Sequence, residues 1–308
     1  MQPLQDIVPT EVVFQQADQR GRPIPWWLKM SGKMVLSRLL PSYRMRSAVG
    51  LFVHTHSEDA ARAAWFEKIV ANHVRFGNGE IDTVLELGPG DSLGMALFAA
   101  AHGARQSWLI DVGDFASGDM NKYAAIARLM DEQHPGFSSR VNLSSRAEML
   151  ASVRAGYLTG GMESLAGIAS GSVDLVTSLA VLEHVRRAEF ATVMAETFRV
   201  LRPGGTAQHQ IDLSDHLGGA LNSLRFSDRV WEHPLVANAG FYTNRLRFSE
   251  IVDIAQCAGF QCATMRFQRW PQLPISRLVL ARRYRDFPDH ELDIASFHVL
   301  LRKPDGIQ

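Results

Sequence analysis

Apolar and polar positions follow two rhythms along this chain, and the change between them falls near Ile81. Before it, the pattern is helical. Between Ser57 and Phe76, the residues Ala61, Ala64, Trp65, Ile69 and Val70 recur at helical spacing. Ser57 stands where a cap is needed, and Glu58 and Asp59 fall in the first turn, where the helix dipole favours acids. An earlier basic and apolar stretch, Leu28 to Arg46, follows Pro23, Pro25 and the pair Trp26-Trp27. From Ile81 onward, short apolar runs alternate with amphipathic stretches. Strands are predicted at 83–87, 107–111, 173–178, 206–213, 259–269 and 296–302, with helices at 92–101, 121–134 and from the end of the 173–178 strand through Arg199. Such alternation predicts an α/β fold, a mostly parallel sheet with helices on both faces. The stretch 214–247 fits neither period and reads as an irregular insertion, bounded at about 214–250. The expected organisation is a helical extension or lid over 1–80 and one main domain over 81–308.

Composition narrows the partners. Hydrophobic residues make up 46% and charged residues 21%, as in an ordinary globular enzyme. Lys plus Arg equals Asp plus Glu at 32 each, so no global field draws the chain to nucleic acid or an anionic membrane, and neither partner is expected. Cys257 and Cys262 are too few for a disulfide framework or a thiolate zinc site. The start Met1-Gln2-Pro3-Leu4 has no basic region ahead of an apolar core, and no run of about 18 apolar residues could span a bilayer. The cytoplasm is the expected compartment.

The chemistry concentrates at the ends of the predicted strands. Glu86-Leu87-Gly88-Pro89-Gly90-Asp91-Ser92-Leu93-Gly94 lies between a strand and a helix, where an open α/β sheet binds ligands. Gly88 and Gly90 let the backbone turn sharply and approach a ligand with no Cβ in the way. The spacing is one residue longer than the dinucleotide fingerprint, and Asp91 would repel a pyrophosphate while suiting the ammonium of an amino-acid ligand. Asp111 closes the next strand 23 positions after Gly88, where an acid can grip ribose hydroxyls.

In these features the chain resembles the class I S-adenosylmethionine-dependent methyltransferases, over roughly Ile81 to Lys303. Four stretches match in order: Glu86 to Gly94, Asp111, Val173 to Val185, and Leu201-Arg202-Pro203-Gly204-Gly205. The resemblance implies a Rossmann-like, mostly parallel sheet of seven strands and S-adenosyl-L-methionine as cofactor. It places the methionine part on the loop Glu86, Gly88, Pro89, Gly90, Asp91 and Ser92, and the ribose on Asp111. The adenine falls to the segment Gly161-Met162-Glu163-Ser164, with Met162 as apolar cover and Glu163 as the acid. Leu179, at the end of the fourth strand, completes the set. The Leu-Arg-Pro-Gly-Gly stretch is a turn into the fifth strand.

An oxygen acceptor that is not already ionised needs a base to remove its proton, and two polar groups fall where the acceptor should lie. Glu183-His184 follows the fourth strand; His184 is a candidate base, and a structural or cofactor-side role for the pair is equally open. His209-Gln210-Ile211-Asp212-Leu213-Ser214-Asp215-His216 ends the fifth strand, with two His and two Asp in eight residues. There His216 could be a base oriented by Asp212 or Asp215, the group could hold Mg²⁺ or a similar hard cation, or it could be a capped strand end. No metal is assigned. His209 lies further inside and reads as a core histidine. Tyr242, Asn244, Arg245 and Arg247 interleave an aromatic ring with guanidinium and amide donors, a set suited to a sugar or anionic acceptor. The N-terminal helices, with Trp26, Trp27 and Trp65, form a lid, a homodimer surface or core.

The leading reading is O-methylation of a sugar, glycan or other hydroxylated acceptor, on a resemblance to methyltransferases of bacterial polysaccharide pathways. N- or C-methylation of a small metabolite and a non-catalytic cofactor-binding scaffold stay open. A nicotinamide dehydrogenase is disfavoured by the loop spacing, by Asp91 and by the lack of a Tyr-x-x-x-Lys pair.

Overall fold

The computed structural model describes residues 11–14, 25–39 and 59–306. Among these the strands are β1 (Glu11–Phe14), β2 (Thr83–Leu87), β3 (Gln106–Ile110), β4 (Ala155–Leu158), β5 (Val173–Leu179), β6 (Leu201–Asp212), β7 (Gln261–Arg269) and β8 (Ile294–Arg302). The principal helices are α1 (Trp26–Leu39), α2 (Asp59–Phe76), α3 (Gly94–Ala101), α4 (Met120–Asp131), α5 (Arg146–Ser152), α6 (Met162–Ala166), α7 (Phe190–Val200) and α8 (Phe248–Cys257). The strands form one sheet in the order β1-β7-β8-β6-β5-β2-β3-β4. Every pairing is parallel except those of β8, which runs antiparallel to β6 and β7.

The sheet is thus Rossmann-like and mostly parallel, but it has eight strands where seven were expected. The extra one is β1, from the N-terminal segment expected to be helical. Its sequence Glu-Val-Val-Phe is β-branched and aromatic, which suits a pleated edge, and it pairs with β7 from Glu11↔Arg266 to Phe14↔Arg269. The helix expected over 57–76 is α2, whose proposed cap Ser57 lies outside the described residues, as do Pro23 and residues 40–46 of the early basic stretch. Helix α5 and strand β4 were not anticipated; β4 is four half-buried residues at the sheet edge, too short to show a period. The turn expected at 201–205 is instead the start of β6, with a register irregularity against β5 and Gly204 at φ +76°. Region 214–247 holds no strand and only short helical turns such as Asp228–Trp231 and Pro234–Ala237. No helix among the described residues is long and apolar enough to cross a membrane.

Strand β2 is buried throughout and divides its side chains between two cores. Leu85 and Leu87 join one with residues of α6, α7 and α8, while Val84 joins the other with residues of α2, α3, α4 and α5. Helix α2 is therefore part of the main core, with Phe66 and Ile69 fully buried. Helix α1 instead lays Trp26, Met30 and Met34 against a separate cluster built by Leu217, Trp231 and Phe241 of the insertion.

One buried acid fixes the register at the N-terminal ends of the central strands. Asp174 Oδ2 accepts from the backbone N–H of Asp82 and of Thr83, both at 2.9 Å, and Arg202 donates to its Oδ1 at 2.7 Å. Removing it leaves two backbone donors without a partner, each costing about 1–3 kcal/mol if buried. Asp174→Ala should therefore lower the unfolding free energy by roughly 2–4 kcal/mol, read from urea denaturation.

Candidate active site

The glycine loop leaves β2 at the carboxyl edge of the sheet. Gly88 (φ +67°) and Gly90 (φ +65°) take left-handed backbone that other residues rarely adopt. Gly88 N–H donates to the Ile110 carbonyl at 2.8 Å, and a Cβ there would meet Val181 at 2.5 Å, so the turn is closed on both sides. Gly90 N–H donates to Asp111 Oδ2 at 3.0 Å, and Val112 N–H donates to its Oδ1 at 2.7 Å. Asp111 thus stands at the tip of β3 against the loop. Gly161 N–H donates to the Asp111 carbonyl at 2.8 Å, which brings the segment before β5 to the same place. Met162 is half-buried against the core at the start of α6, and Glu163 is exposed.

Two carboxylates at the turn, Glu86 near the end of β2 and Asp91 in the loop, have an oxygen that is buried and without a hydrogen-bond partner. Asp91 takes Lys122 at 3.3 Å on Oδ2 and has Oδ1 unmatched. Glu86 takes Arg62 at 2.8 Å on Oε1 and has Oε2 unmatched. Burial pushes the Glu86 carboxyl up to about 7, Arg62 pulls it down, and the nearby Asp111 adds to the rise. Ser92 is buried, its Oγ accepting from Gly94 N–H at 3.3 Å. An unmatched carboxylate oxygen beside a two-glycine turn suits a ligand ammonium, and an acid at the next strand tip suits ribose hydroxyls.

Residues 85–208 match the model of a family described as a methyltransferase domain. The chain carries a methyltransferase domain over these residues, with S-adenosylmethionine as its cofactor. No curated protein matches its sequence. Among solved structures it is similar to the Burkholderia thailandensis 1,6-didemethyltoxoflavin-N1-methyltransferase, at 15% identity over 94% of this chain and 99% of that one, with a TM-score of 0.45. An O-methyltransferase family protein from the same organism has 13% identity over 92% and 69%, TM-score 0.43. An S-adenosylmethionine-dependent methyltransferase from Archaeoglobus fulgidus has 10% identity over 80% and 95%, TM-score 0.43. Likeness at this level carries no argument about the acceptor.

In this methyltransferase the two candidate bases come together. The rings of His184 and His216 stack with centroids 4.9 Å apart and planes 14° from parallel. His184 Nδ1 lies 3.0 Å from the Tyr242 carbonyl. A carbonyl only accepts, so Nδ1 carries the proton and the lone pair of the neutral ring sits on Nε2. Of the two acids expected to orient His216, Asp215 is buried and accepts from Leu217 and Gly218 N–H at 2.8 Å and from Asn222 N–H. It is a loop cap. Asp212 accepts from Ser214 N–H at 2.8 Å, and burial raises its carboxyl, a rise that hydrogen bonding to Ser214 and then the charge of His184 oppose. Leu179 is half-buried at the end of β5, followed by Ala180 in left-handed backbone (φ +54°). His209 is fully buried, bonded to Ser178 Oγ at 2.8 Å and pushed down to about 3 by burial, as suits a core histidine.

The four expected acceptor-binding residues lie inside the fold. Asn244 donates to the Leu182 and Val185 carbonyls at 2.8 and 3.1 Å and accepts from Leu246 N–H at 3.1 Å. Arg245 holds the Phe226 carbonyl and Asp228 and packs against the rings of Trp231 and Tyr284. Arg247 donates to the carbonyls of Leu213, Glu291 and Ile294, and its burial lowers the guanidinium to about 10. Tyr242 donates to Glu232 at 2.9 Å and accepts from Arg187 N–H. Their hydrogen bonds brace the irregular segment, because a stretch without a helix or strand ladder must satisfy its buried carbonyls with side chains. Sequence reasoning missed three residues. Val112 is 79% exposed beside Gly161 and next to Asp111, and offers an apolar face there. Arg62 lies outside the glycine motif. Glu183 was read only together with its neighbour His184; its carboxyl is buried, makes no well-formed hydrogen bond, and is raised well above the usual range by burial and by Asp212.

Gly88→Ala should abolish calorimetric binding of S-adenosylhomocysteine, through strain and the Val181 clash. Asp111→Ala should weaken that binding by roughly 1–3 kcal/mol. Glu183 has a separate signature in stability. The folded carboxyl keeps its proton at a pH where the unfolded one has lost it, so its contribution to stability falls as pH rises above the ordinary glutamate range. Glu183→Gln should therefore raise the melting temperature more at pH 8 than at pH 5, by about 2–4 °C per kcal/mol regained.

Proposed function

We propose that this methyltransferase O-methylates a hydroxylated acceptor, a sugar, a glycan or a comparable metabolite, with His184 as the base. The observation that carries the reading is the His184–His216 stack just past the ends of β5 and β6, with the His184 tautomer set by the Tyr242 carbonyl. S-adenosylmethionine supplies a methyl group on a sulfonium, which is transferred by direct displacement. Gly88, Gly90, Asp91 and Asp111 would hold it, with Met162, Val112 and Leu179 around the base and the reacting end. A neutral hydroxyl is a poor nucleophile, so an imidazole whose lone pair is already directed has a clear task. His216 supports the stack and holds the His184 ring in its orientation. Asp212 stabilises the protonated ring through space.

Beside this site lies an open groove of about 740 Å³ in which Arg186, Arg187, Glu189, Glu232 and Asn238 set charged and amide groups among the apolar Ala188 and Pro234. Arg186 covers the Tyr242 ring at 4.6 Å, which joins that groove to the segment holding His184. Among the described residues no group of three or more His, Cys, Asp or Glu side chains is arranged to hold a metal, and the proposed mechanism uses none.

His184→Ala should lower kcat by about 10²–10⁴ while leaving cofactor affinity nearly unchanged, and should remove the imidazole limb from the pH profile of kcat. His216→Ala should cost less than His184→Ala. The reverse order would move the base to His216, and mild effects at both would leave catalysis to positioning. EDTA should not reduce the rate; loss with chelator and rescue by Mg²⁺ would overturn the metal-free proposal.

A further inference from the structure

Arg62 lies outside the matched domain, 24 residues ahead of Glu86, yet it reaches the cofactor loop. Its position follows from the packing of α2. Phe66 and Ile69 are fully buried against the sheet, and Phe66 stacks on Phe98 of α3 with centroids 6.4 Å apart. Arg62 sits one turn before Phe66 on the same face, so its guanidinium is carried into the sheet rather than into solvent. There Nη2 donates to Glu86 Oε1 at 2.8 Å, and Nη1 lies 3.5 Å from the Ser92 carbonyl. The two side chains are 2% and 3% exposed. Glu86 precedes the first loop glycine by two residues and Ser92 follows the second by two. One guanidinium therefore grips the loop at both of its ends.

We propose that Arg62 is a positioning residue for the cofactor loop, and that the loop binds its ligand tightly only while the Arg62–Glu86 ion pair is intact. The inference rests on the assignment of that loop to S-adenosylmethionine. It follows from the cost of burying a lone charge. Either member without the other is an uncompensated charge in the interior, and the group then neutralises or the structure shifts. The groups around Glu86 can be named. Arg62 comes from α2, Asp111 from the tip of β3, and Thr177 from β5, in register with Glu86 and with its hydroxyl unmatched. Asp91 and Lys122 pair with each other at the loop's outer side. Arg62 is the one cation among those that act on Glu86, and Asp111 opposes it.

With the Glu86 carboxyl raised to about 7, the pair is intact above neutrality and loses its anion below it. Affinity for a ligand that needs the pair should tighten as pH rises through that value and level off above it. Isothermal titration of the full chain with S-adenosylhomocysteine, from about pH 5.5 to 8.5, reads this directly. The wild type should show a limb near neutrality, with affinity changing by up to tenfold per pH unit across it. Arg62→Met should bind about tenfold or more weakly at neutral pH and move the limb upward, because Glu86 then has no partner to favour its anion. Arg62→Lys should return the limb toward its wild-type position. Glu86→Gln, which keeps the shape and removes the titrating group, should abolish the limb. Melting temperatures across the same pH range separate positioning from bulk stability. If Arg62→Met weakens binding and melting together at every pH and the limb stays in place, Arg62 is merely structural and the proposal falls. Should Arg62→Met not fold, Glu86→Gln decides alone, since a limb that persists in it overturns the proposal. A wild type that binds S-adenosylhomocysteine at no pH would overturn the cofactor assignment itself, whereas wild-type binding with an unchanged Arg62→Met profile sinks this inference only.

Discussion

Strand β2 runs through the middle of the sheet with both faces covered, and the sequence places a carboxylate inside it. A buried acid in a central strand is costly unless something meets it. Arg62 meets Glu86 from above, and that requirement ties the N-terminal helix α2 to the sheet. The carboxyl edge follows from this placement. Gly88 turns away from the strand end, Gly90 returns to Asp111, and Gly161 closes on the Asp111 carbonyl. Three chain segments far apart in sequence thereby meet around one acid at the tip of β3.

A second meeting point forms where β5 and β6 end. Helical turn 182–184 brings Glu183 inward and His184 outward, and the loop after β6 returns His216 to lie on the His184 ring. The two sites are joined through Val181, whose methyl groups fill the space beside Gly88 while the next residues begin the turn that carries His184. The glycine loop and the histidine pair are therefore joined by packed side chains. Asn244 adds to this continuity, because its amide holds the Leu182 and Val185 carbonyls on either side of the histidine.

The insertion after β6 shows how side chains replace secondary structure. Backbone that lacks a helix or strand ladder must find partners for its carbonyls, and here two arginines serve. Arg245 gathers Ser223, Phe226 and Asp228, while Arg247 gathers Leu213, Glu291 and Ile294. Each guanidinium has several donors in a fixed plane, so one residue can fasten several chain segments at once. Helix α1 rests on this braced region through Trp26, with an edge contact to Phe226 at 5.9 Å. The N-terminal residues thus have three structural roles, β1 at the sheet edge, α2 within the main core and α1 over the insertion.

The sequence by itself determined the alternating architecture, the glycine turn and the acid at the tip of the next strand, because each depends on local rules. Buried strands give short apolar runs, left-handed backbone calls for glycine, and an acid at a strand tip is read from its spacing. It also carried the histidines and acids of the acceptor side as a set. Their roles were decided by tertiary structure. Whether Asp215 orients a base or caps a loop depends on which N–H groups the chain folds toward it, and these belong to Leu217, Gly218 and Asn222. Whether Arg245 and Arg247 face an acceptor or the interior depends on carbonyls as distant as Ile294. The eighth strand needed β7 as a neighbour, since four residues have no stability as a strand alone. The Arg62–Glu86 pair was invisible for the same reason. A charge on an otherwise ordinary helix becomes part of a site only when packing carries it into the sheet.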